Sequence, residues 1–363
     1  MRKMKSFNEV FEDKTKYGTK IKTSEYCEMG AHLIIDQGQE QVAGYTDIEE
    51  GVFEEVPVII FGDHTRVIKY VDKPFFLGAD GVKVLRSKFK NANYKYLYYA
   101  LKNARIPNTG YNRHFKWLKE VQIEYPDYRR QENVVKILDK VSDLIETRQH
   151  EIKRLDDLIK ARFVEMFGSI HESTKYPYIA VKDLTDVISG GTPSRDRSEY
   201  WYNGTIPWVK TTELQNNVIK NVDEHITESG LAGSSAKMVP IGTVLVAMYG
   251  QGKTRGMTAY LGIEASTNQA CACILPSEKI DSMFMWKYFE LSYDKLRSLA
   301  QGAGQPNLNG NMIKNFQVLV PPIELQKEFV SFVEQVDKSK VAVQKALDET
   351  QTLFDSLMQE YFG

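Results

Sequence analysis

The sequence predicts an α+β protein: two globular mixed α/β domains separated by two long antiparallel helices that form a coiled coil with pseudo-two-fold symmetry. Two segments of 43 residues, 126–168 and 321–363, carry this prediction, because both are rich in helix formers and lack interior glycine and proline except Pro322. Each segment follows a block rich in strand and turn signals. The chain therefore divides into a globular domain at 1–125, a central helix at 126–168, a globular domain at 169–320 and a C-terminal helix at 321–363.

The two helical segments also match each other in sequence. They align without a gap at an offset of 195 residues. A match that begins on proline and ends on Phe-Gly rarely arises by chance, so we interpret it as an internal duplication. The identical pairs are Pro126/Pro321, Gln131/Gln326, Val135/Val330, Val141/Val336, Gln149/Gln344, Leu158/Leu353, Glu165/Glu360, Phe167/Phe362 and Gly168/Gly363.

Apolar residues recur along both helices with the alternating spacing of four and three that is typical of a coiled coil. Ordinary amphipathic helices inside a globular core are the alternative, but such helices are usually shorter than about 25 residues. At about 1.5 Å per residue, each helix would be about 60 Å long. If the second globular domain is compact with its ends close together, the two helices run antiparallel. The predicted seam is Val134, Leu138, Val141, Ile145, Ile152, Leu155 and Ile159 on the first helix, and Phe329, Val333, Val336, Val343, Leu347, Phe354 and Leu357 on the second.

The two globular blocks share an order of elements although their sequences differ. Each has strands first, then a helix, then a short strand before the long helix. The predicted strands are 32–36, 56–61 and 66–70 in the first block and 206–209, 243–248 and 270–275 in the second, with helices near 94–105 and 282–299.

Composition sets limits on the class of protein. Hydrophobic residues make up 42% and charged residues 26% of the chain, which is typical of a globular protein. We expect no membrane span, no secretory signal, a cytoplasmic location and three reduced thiols, with Cys271 and Cys273 on opposite faces of a strand. Because the net charge is only −1, any DNA contact must come from local basic patches, or a partner must neutralise much of the phosphate charge.

Several motifs, taken in order, resemble those of the specificity (S) subunits of type I restriction-modification systems. In the first block these are Asp36-Gln-Gly-Gln39, Gly44-Tyr-Thr-Asp47, Phe61-Gly-Asp-His-Thr-Arg66 and Gly78-Ala-Asp-Gly81. In the second block they are Ser189-Gly-Gly-Thr-Pro193, Ile206-Pro-Trp208 and Gln305-Pro-Asn-Leu-Asn309, followed by Val320-Pro-Pro-Ile-Glu-Leu-Gln326. The resemblance covers essentially the whole chain. One departure is a short segment before Lys16, so the end of the C-terminal helix is expected to complete the base of the first domain.

The resemblance implies a chain that is not itself an enzyme. Each globular block would be a target recognition domain that reads one half of a bipartite double-stranded DNA site. The helices would set the gap and dock methyltransferase (M) subunits, probably two, with motor-nuclease (R) subunits joining the complex. S-adenosylmethionine, ATP and magnesium would then be bound by the partners, and this chain would bind no cofactor or metal.

The residues best suited to DNA contact lie in loops of both blocks. Amides suit adenine edges, whereas Arg and Lys suit guanine edges or phosphates. A solvated loop is the alternative for each segment, and Asp63 alone could simply cap its turn. The candidates are Gln37, Gln39, His64, Thr65, Arg66 and Lys69 in the first block, and Lys210, Thr211, Thr212, Gln251, Lys253, Thr254 and Arg255 in the second.

Two other functions stay open at this stage. One is a coiled-coil scaffold whose terminal domains bind proteins. The other is an NTPase, because residues 247–254 are a near miss of the phosphate-binding loop, with Ala247 in place of its first glycine. The stretch after Thr254 does not look like the start of a helix, which that motif needs to hold phosphate. Asp63-His64 lacks a nucleophile or metal-spaced partner, so acid-base catalysis is not expected.

Overall fold

The computed structural model describes residues 3–78, 80–250, 252–300 and 307–363. The chain forms two compact units: unit one is Met1–His150 with Gln344–Gly363, and unit two is Glu151–Val343. Each unit therefore holds one globular block and a part of both long helices. We call the block at 3–125 head one and the block at 169–320 head two. The division of the chain into four segments stays a prediction, because the units cut across both helices.

Head one contains two sheets, a two-stranded ribbon and short helices. One sheet has the order β2-β8-β5-β6 and the other β4-β3-β7, while β1 pairs with β9. The elements are β1 Met4–Ser6, α1 Phe7–Val10, β2 Phe11–Asp13, β3 His32–Ile35, β4 Gly44–Thr46, β5 Val58–Gly62, β6 Ile68–Val71, β7 Phe75–Leu77, β8 Val82–Ser87, α2 Tyr94–Lys102, α3 Phe115–Leu118 and β9 Gln122–Glu124, and the long helix α4 follows at Tyr128–Phe167.

Head two likewise contains two sheets and a two-stranded ribbon, and its described residues form one more strand and two more α-helices than those of head one. Its sheets have the orders β11-β18-β15-β16-β13 and β14-β12-β17, and β10 pairs with β19. The elements are β10 Tyr178–Ala180, α5 Val181–Leu184, β11 Val187–Ser189, β12 Ile206–Val209, β13 Asn217–Ile219, β14 Glu224–Ile226, α6 Glu228–Ala232, β15 Val244–Ala247, β16 Thr258–Leu261, β17 Ser266–Thr267, β18 Cys271–Ile274, α7 Ser282–Leu291, α8 Tyr293–Ser298, α9 Gly310–Asn315 and β19 Gln317–Leu319, and the long helix α10 follows at Ile323–Phe362.

The two heads have the same topology. Strands β2, β8, β5 and β6 correspond in order to β11, β18, β15 and β16, and β4-β3-β7 corresponds to β14-β12-β17. The ribbon strands β9 and β19 are separated by the same 195-residue offset that relates the helices. The duplication therefore includes the heads, although their sequences hide it. The predicted helix at 282–299 is two helices, because the chain bends at Ser292.

The repeated glutamine explains how each long helix begins. The side-chain amide of Gln131 donates to the carbonyl of Pro126 at 2.9 Å, and that of Gln326 donates to the carbonyl of Pro321 at 2.7 Å. Both glutamines are buried. Each long helix thus starts from the same internal hydrogen bond, which gives this identical pair a structural role.

In unit one, the start of α4 and the end of α10 pack into the core of head one. Val134, Leu138 and Val141 share a buried cluster with Phe354 and Met358, and Arg148 donates to the carbonyl of Ala346. The two segments run antiparallel within this unit, because residues early in α4 meet residues late in α10. The end of α10 completes the base of head one, as the sequence predicted.

In unit two, the end of α4 and the start of α10 pack against α7. Phe163 lies 5.5 Å from Phe329 and 6.1 Å from Phe284, measured between ring centroids. Lys340 pairs with Asp156 at 2.5 Å. These contacts again join late α4 to early α10, so the segments are antiparallel in this unit as well. Mixed α/β heads and two long packed helices confirm the predicted fold class.

The predicted seam is only partly the buried face. Positions that are buried are Val134, Leu138, Val141, Ile159, Phe329, Val333, Val336 and Phe354, and those that are half-buried are Ile145, Ile152, Leu155, Val343, Leu347 and Leu357.

Beyond Ile159, the spacing of four and three points to Arg162, but the fully buried residues are Phe163 and Phe167. At this end the helix packs on a head rather than along a continuous seam. Ile159, Phe163 and Phe167 are four residues apart, so they lie on one side of the helix, which is the side that faces the head.

The prediction for the paired cysteines is wrong in one respect. Cys271 and Cys273 lie in the same buried cluster, because alternate residues of a strand point to the same face. Burial raises the pKa of Cys273 to about 11, so its thiol is unreactive. Among the described residues, no helix is both long and apolar enough to cross a membrane.

Candidate DNA interface

Three loops of head one converge at one edge. They follow β3, join β5 to β6, and join β7 to β8. Because β3 and β7 are parallel, both strands end at the same edge of their sheet. The N–H of Asp63 in the second loop donates to the carbonyl of Gly81 in the third at 2.6 Å, so the loops of the two sheets are tied together.

Gln37 joins all three loops of head one. Its side-chain amide donates to the carbonyl of Asp80 at 2.9 Å and accepts from the N–H of His64 at 3.2 Å, while its own carbonyl accepts from the hydroxyl of Thr65 at 2.6 Å. Gly81 permits this approach, since a Cβ there would lie 2.7 Å from the Gln37 side chain and the φ angle is +92°. The side-chain amide and the backbone carbonyl of Gln37 are therefore engaged in hydrogen bonds that hold the loops together.

The other candidates of head one differ in exposure. Gln39 and Thr65 are exposed, whereas His64 and Arg66 are half-buried. Arg66 has a φ angle of 63°, which is unusual for a residue other than glycine. Its guanidinium lies 3.3 Å from the carbonyl of Ile106. This turn fixes the direction of the arginine side chain at the rim of a groove of about 500 Å³ that Gln39 and Thr65 also line.

Lys69 does not have the placement that its prediction requires. Its side chain is 3% exposed, and its ammonium group donates to the carbonyl of Glu40 and lies 3.5 Å from Asp36. Burial lowers its pKa, an effect that the Asp36 carboxylate partly offsets. The expectation of direct DNA contact is therefore corrected: Lys69 holds the loop after β3 in place, because β6 directs its side chain inward.

A fourth loop of head one, residues 106–113, reaches the same edge and was missed by the sequence analysis. The N–H of His114 donates to the carbonyl of Asp63 at 2.7 Å, and the carboxylate of Asp63 accepts from Phe115. Asp63 is thus a structural residue, but its carboxylate holds the start of α3 rather than the turn of Asp63 itself, which was the alternative drawn from the sequence. The signal available in the sequence was an aromatic and a basic residue, Tyr111 and Arg113, within the turn-rich stretch 107–113.

Head two brings the equivalent loops together. The N–H of Asn268, after β17, donates to the carbonyl of Val209 at the end of β12, at 3.0 Å. The N–H of Met248, after β15, donates to the carbonyl of Ala270 at 2.8 Å. Lys210, Thr211 and Thr212 follow β12, as Gln37 follows β3. Apart from Lys69, which lies in β6, the predicted residues that the structure describes therefore lie in topologically equivalent loops of the two heads.

The loop between β15 and β16 is held from outside by α8. The guanidinium of Arg297 donates to the carbonyls of Gly252 and Arg255, each at 2.9 Å, and the hydroxyl of Tyr293 donates to the carbonyl of Lys253 at 2.8 Å. These bonds use backbone carbonyls only. Lys253 is left exposed, and Thr254 and Arg255 are half-buried. Gln251, a further candidate of this loop, lies outside the described residues.

Lys210 lies among carboxylates rather than alone. Its ammonium group is 3.0 Å from Glu224 and 3.5 Å from Asp223, and the hydrogen bond to Glu224 is the main cause that raises its pKa. Glu224 also pairs with Arg195 at 2.5 Å. The positive charge of Lys210 is thus balanced by these carboxylates. Thr212, two residues further on, is exposed.

The β15–β16 loop also bears on the alternative that residues 247–254 form a phosphate-binding loop. Residues after Thr254 enter strand β16, so this segment has no helix N-terminus at which a phosphate-binding loop could act. Among the described residues, no group of three or more His, Cys, Asp or Glu side chains is arranged to hold a metal ion.

Known proteins share this architecture. A family model described as the Type I restriction modification DNA specificity domain matches residues 3–157 and 172–350. The chain is 24% identical over 346 residues to the Type I restriction enzyme EcoR124I/EcoR124II specificity subunit of Escherichia coli, covering 90% of this chain and 84% of that protein. It is 20% identical over 258 residues to the Type I restriction enzyme MjaIX specificity subunit of Methanocaldococcus jannaschii, covering 66% of this chain and 60% of that protein.

Two solved structures have a similar fold. The crystal structure of a type I restriction-modification system S subunit from M. genitalium matches with a TM-score of 0.60 and 16% identity, covering 99% of this chain and 96% of that chain. A chain from a structural study of complex assembly and conformational transition of the type I R-M system matches with a TM-score of 0.56 and 16% identity, covering 99% and 97%.

Proposed function

Because the chain belongs to the family of type I restriction-modification DNA specificity domains, we propose that each of its heads reads one half of a bipartite DNA site. The chain is a specificity subunit with two DNA recognition domains; it assembles into a complex that binds DNA, and the catalytic activities lie in partner subunits. One observation carries the proposal: the same loops converge at the same edge of both heads, yet their side chains differ. The family thus supersedes the scaffold and NTPase alternatives.

The converging loops supply the chemistry that base reading requires. In head one, Gln39, Thr65 and Arg66 offer an amide, a hydroxyl and a guanidinium at the edge where the loops meet, and in head two Lys253 and Arg255 offer two cations. His64, Thr211, Thr212 and Thr254 lie in the same loops. We assign Gln37 and Lys69 to positioning, since their polar groups are engaged within head one.

The long helices suit the role of a spacer. Each has 40 residues, or about 60 Å of helix at about 1.5 Å per residue. One turn of DNA measures about 34 Å, so a fixed gap of about one turn is within reach.

We further propose that two methyltransferase subunits dock on the helices, that motor-nuclease subunits join them in the cytoplasm, and that the partners bind S-adenosylmethionine, ATP and magnesium. With a net charge of −1, this chain would rely on them for much of the phosphate contact.

Mapping methylated adenines in DNA from cells that carry this chain and its methyltransferase tests the proposal. We expect a motif of two parts with a fixed gap. Arg66→Ala should relax selectivity in one part only and Lys253→Ala in the other, each by roughly tenfold for a lost base contact, while Lys182→Ala, at an exposed position of α5, should change neither. A single contiguous motif, or variants that weaken both halves equally, would overturn the proposal.

A further inference from the structure

The loop at residues 106–113 of head one is fixed at both ends and ordered within. Arg66 holds the carbonyl of Ile106 at one end, and Asp63 holds the N–H groups of His114 and Phe115 at the other. Inside the loop, the N–H of Asn112 donates to the carbonyl of Gly110 at 2.8 Å. The loop is therefore a preorganised projection rather than a slack connection, and it would lose little freedom on binding.

Tyr111 stands at the tip of this projection. Its side chain is 88% exposed, which is unusual for a ring whose apolar faces favour burial. The preceding Gly110 has a φ angle of +75° and nothing within 4 Å of its Cβ position, so the tip extends into open space. A large aromatic side chain held out in this way is typical of a binding surface.

His64 supports one face of that ring. The imidazole of His64 and the phenol ring of Tyr111 are 4.8 Å apart between centroids and only 9° from parallel. His64 belongs to the β5–β6 loop, where Gln37 accepts from its N–H. The stack thus places a rigid pair of rings directly at the edge where the three other loops of head one converge.

The charges beside Tyr111 suit a polyanion. Arg113, two residues after Tyr111, is exposed, and it is close enough to Asp80 to contribute to the lowered pKa of that carboxyl, whose main cause is the hydrogen bond from Lys20. A guanidinium group in the same loop as an exposed ring can hold a phosphate while the ring meets bases.

We propose that Tyr111 is a base-stacking residue of head one, which inserts its free ring face at a base step of the half-site while His64 supports the other face. This inference rests on the proposed function, because it adds a specificity contact to the same interface. An inserted ring unstacks neighbouring bases at a cost that depends on the sequence of the step, so it contributes selectivity without a hydrogen bond. The repeat-equivalent position of head two is Pro306, so the contact belongs to head one alone.

The test uses the complex of this chain with its methyltransferase partner and a duplex carrying the mapped bipartite site. 2-Aminopurine replaces each adenine of the head-one half in turn, except the adenine that becomes methylated, since the methyltransferase itself flips that base out of the stack. Its fluorescence reports unstacking. We expect a rise at one step on binding of the wild type and of Tyr111→Phe, which keeps the ring. Tyr111→Ala should abolish the rise and weaken binding on the order of tenfold, as loss of one stacked ring typically does. His64→Ala should give a smaller loss.

An exposed tyrosine of head two, Tyr202, which is 75% exposed, provides a matched control. Replacing it by alanine should leave the signal unchanged. If Tyr111→Ala binds within twofold of the wild type and keeps the fluorescence rise, the inference is wrong while the proposed function stands. If the wild-type complex itself shows no preference for the bipartite site, both fail.

Discussion

Head one and head two hold the same loops in different ways. In head one, the loops bond to one another through Gln37, and Gly81 allows the close approach. In head two, α8 holds the β15–β16 loop, because Arg297 and Tyr293 donate hydrogen bonds to its backbone carbonyls. The strands beneath correspond one to one, apart from the additional β13 of head two.

This difference teaches where a duplicated scaffold can diverge. Strand order is preserved in both heads, and so is the packing of a C-terminal helix end into each unit, around Phe163 of α4 and Met358 of α10. The buried contacts of each unit depend on both features. The loops rest on hydrogen bonds to backbone N–H and carbonyl groups, which do not specify the side chains that point outward. Each head can therefore change its exposed residues without changing the strands that carry them.

Substitutions at the C-terminal ends of the two long helices should lower the stability of both units most. Phe163 is fully buried among Phe167, Phe284 and Phe329, and its repeat equivalent in unit one is Met358, which is 6% exposed. We expect Phe163→Ala to lower the free energy of unfolding of unit two by about 3–5 kcal/mol. Met358→Ala should cost unit one nearer about 2 kcal/mol, since methionine fills gaps adaptably.

Hydrogen exchange followed by mass spectrometry measures both units separately in one sample, since it reports local stability by peptide. Leu158→Ala serves as the control, because Leu158 is 45% exposed and should change stability by no more than about 0.5 kcal/mol. If Phe163→Ala and Met358→Ala each lowered the stability of both units equally, the two helix ends would not act independently.

The brace of head two should matter for selectivity more than for folding. Arg297→Lys removes the planar group that contacts two carbonyls at once, and a lysine cannot reproduce that geometry. We expect selectivity in the head-two half of the site to fall roughly tenfold, in line with the loss of charge-assisted hydrogen bonds, while the head-one half is unchanged. Competition binding with half-site mismatches measures this. Lys295→Gln, on the same helix and exposed, should have no effect; a loss in both halves would contradict a brace confined to head two.

Lysines of the two heads should respond to alkaline pH with opposite signs. Burial lowers the pKa of Lys69 below its ordinary value of 10.5, so the unfolded state binds more protons there and the stability of unit one rises with pH towards that value. A hydrogen bond to Glu224 raises the pKa of Lys210. Its contribution is therefore present below 10.5 and is lost as pH rises through the folded pKa.

Urea unfolding between about pH 9 and 11, compared with the wild type, measures both lysines. Lys69→Met should remove a gain in stability with rising pH, and Lys210→Met should remove a loss. Slopes that change in the same direction for both variants would show that the two environments do not differ as described.

Much of the long-range plan of the protein can be predicted from the sequence. The helices begin and end within two residues of the predicted segments, because a run without interior glycine or proline leaves little doubt about where a helix continues. The offset of 195 residues predicts the duplication, and the structure extends it to strands that share little sequence. Strands such as Ile206–Val209 match their prediction since β-branched and aromatic residues favour them.

The sequence alone thus predicts what is written along the chain: the periodicity of the helices, the order of the elements and the repeat. Tertiary structure alone decided which residues are buried where elements meet, as with Phe163 in place of Arg162, and with Lys69, which faces inward. It also decided that Gln37, His64 and Asp80 meet, although they lie far apart in the chain. Contacts of this kind depend on strand pairing and loop closure across the whole head, and a local pattern carries no record of them.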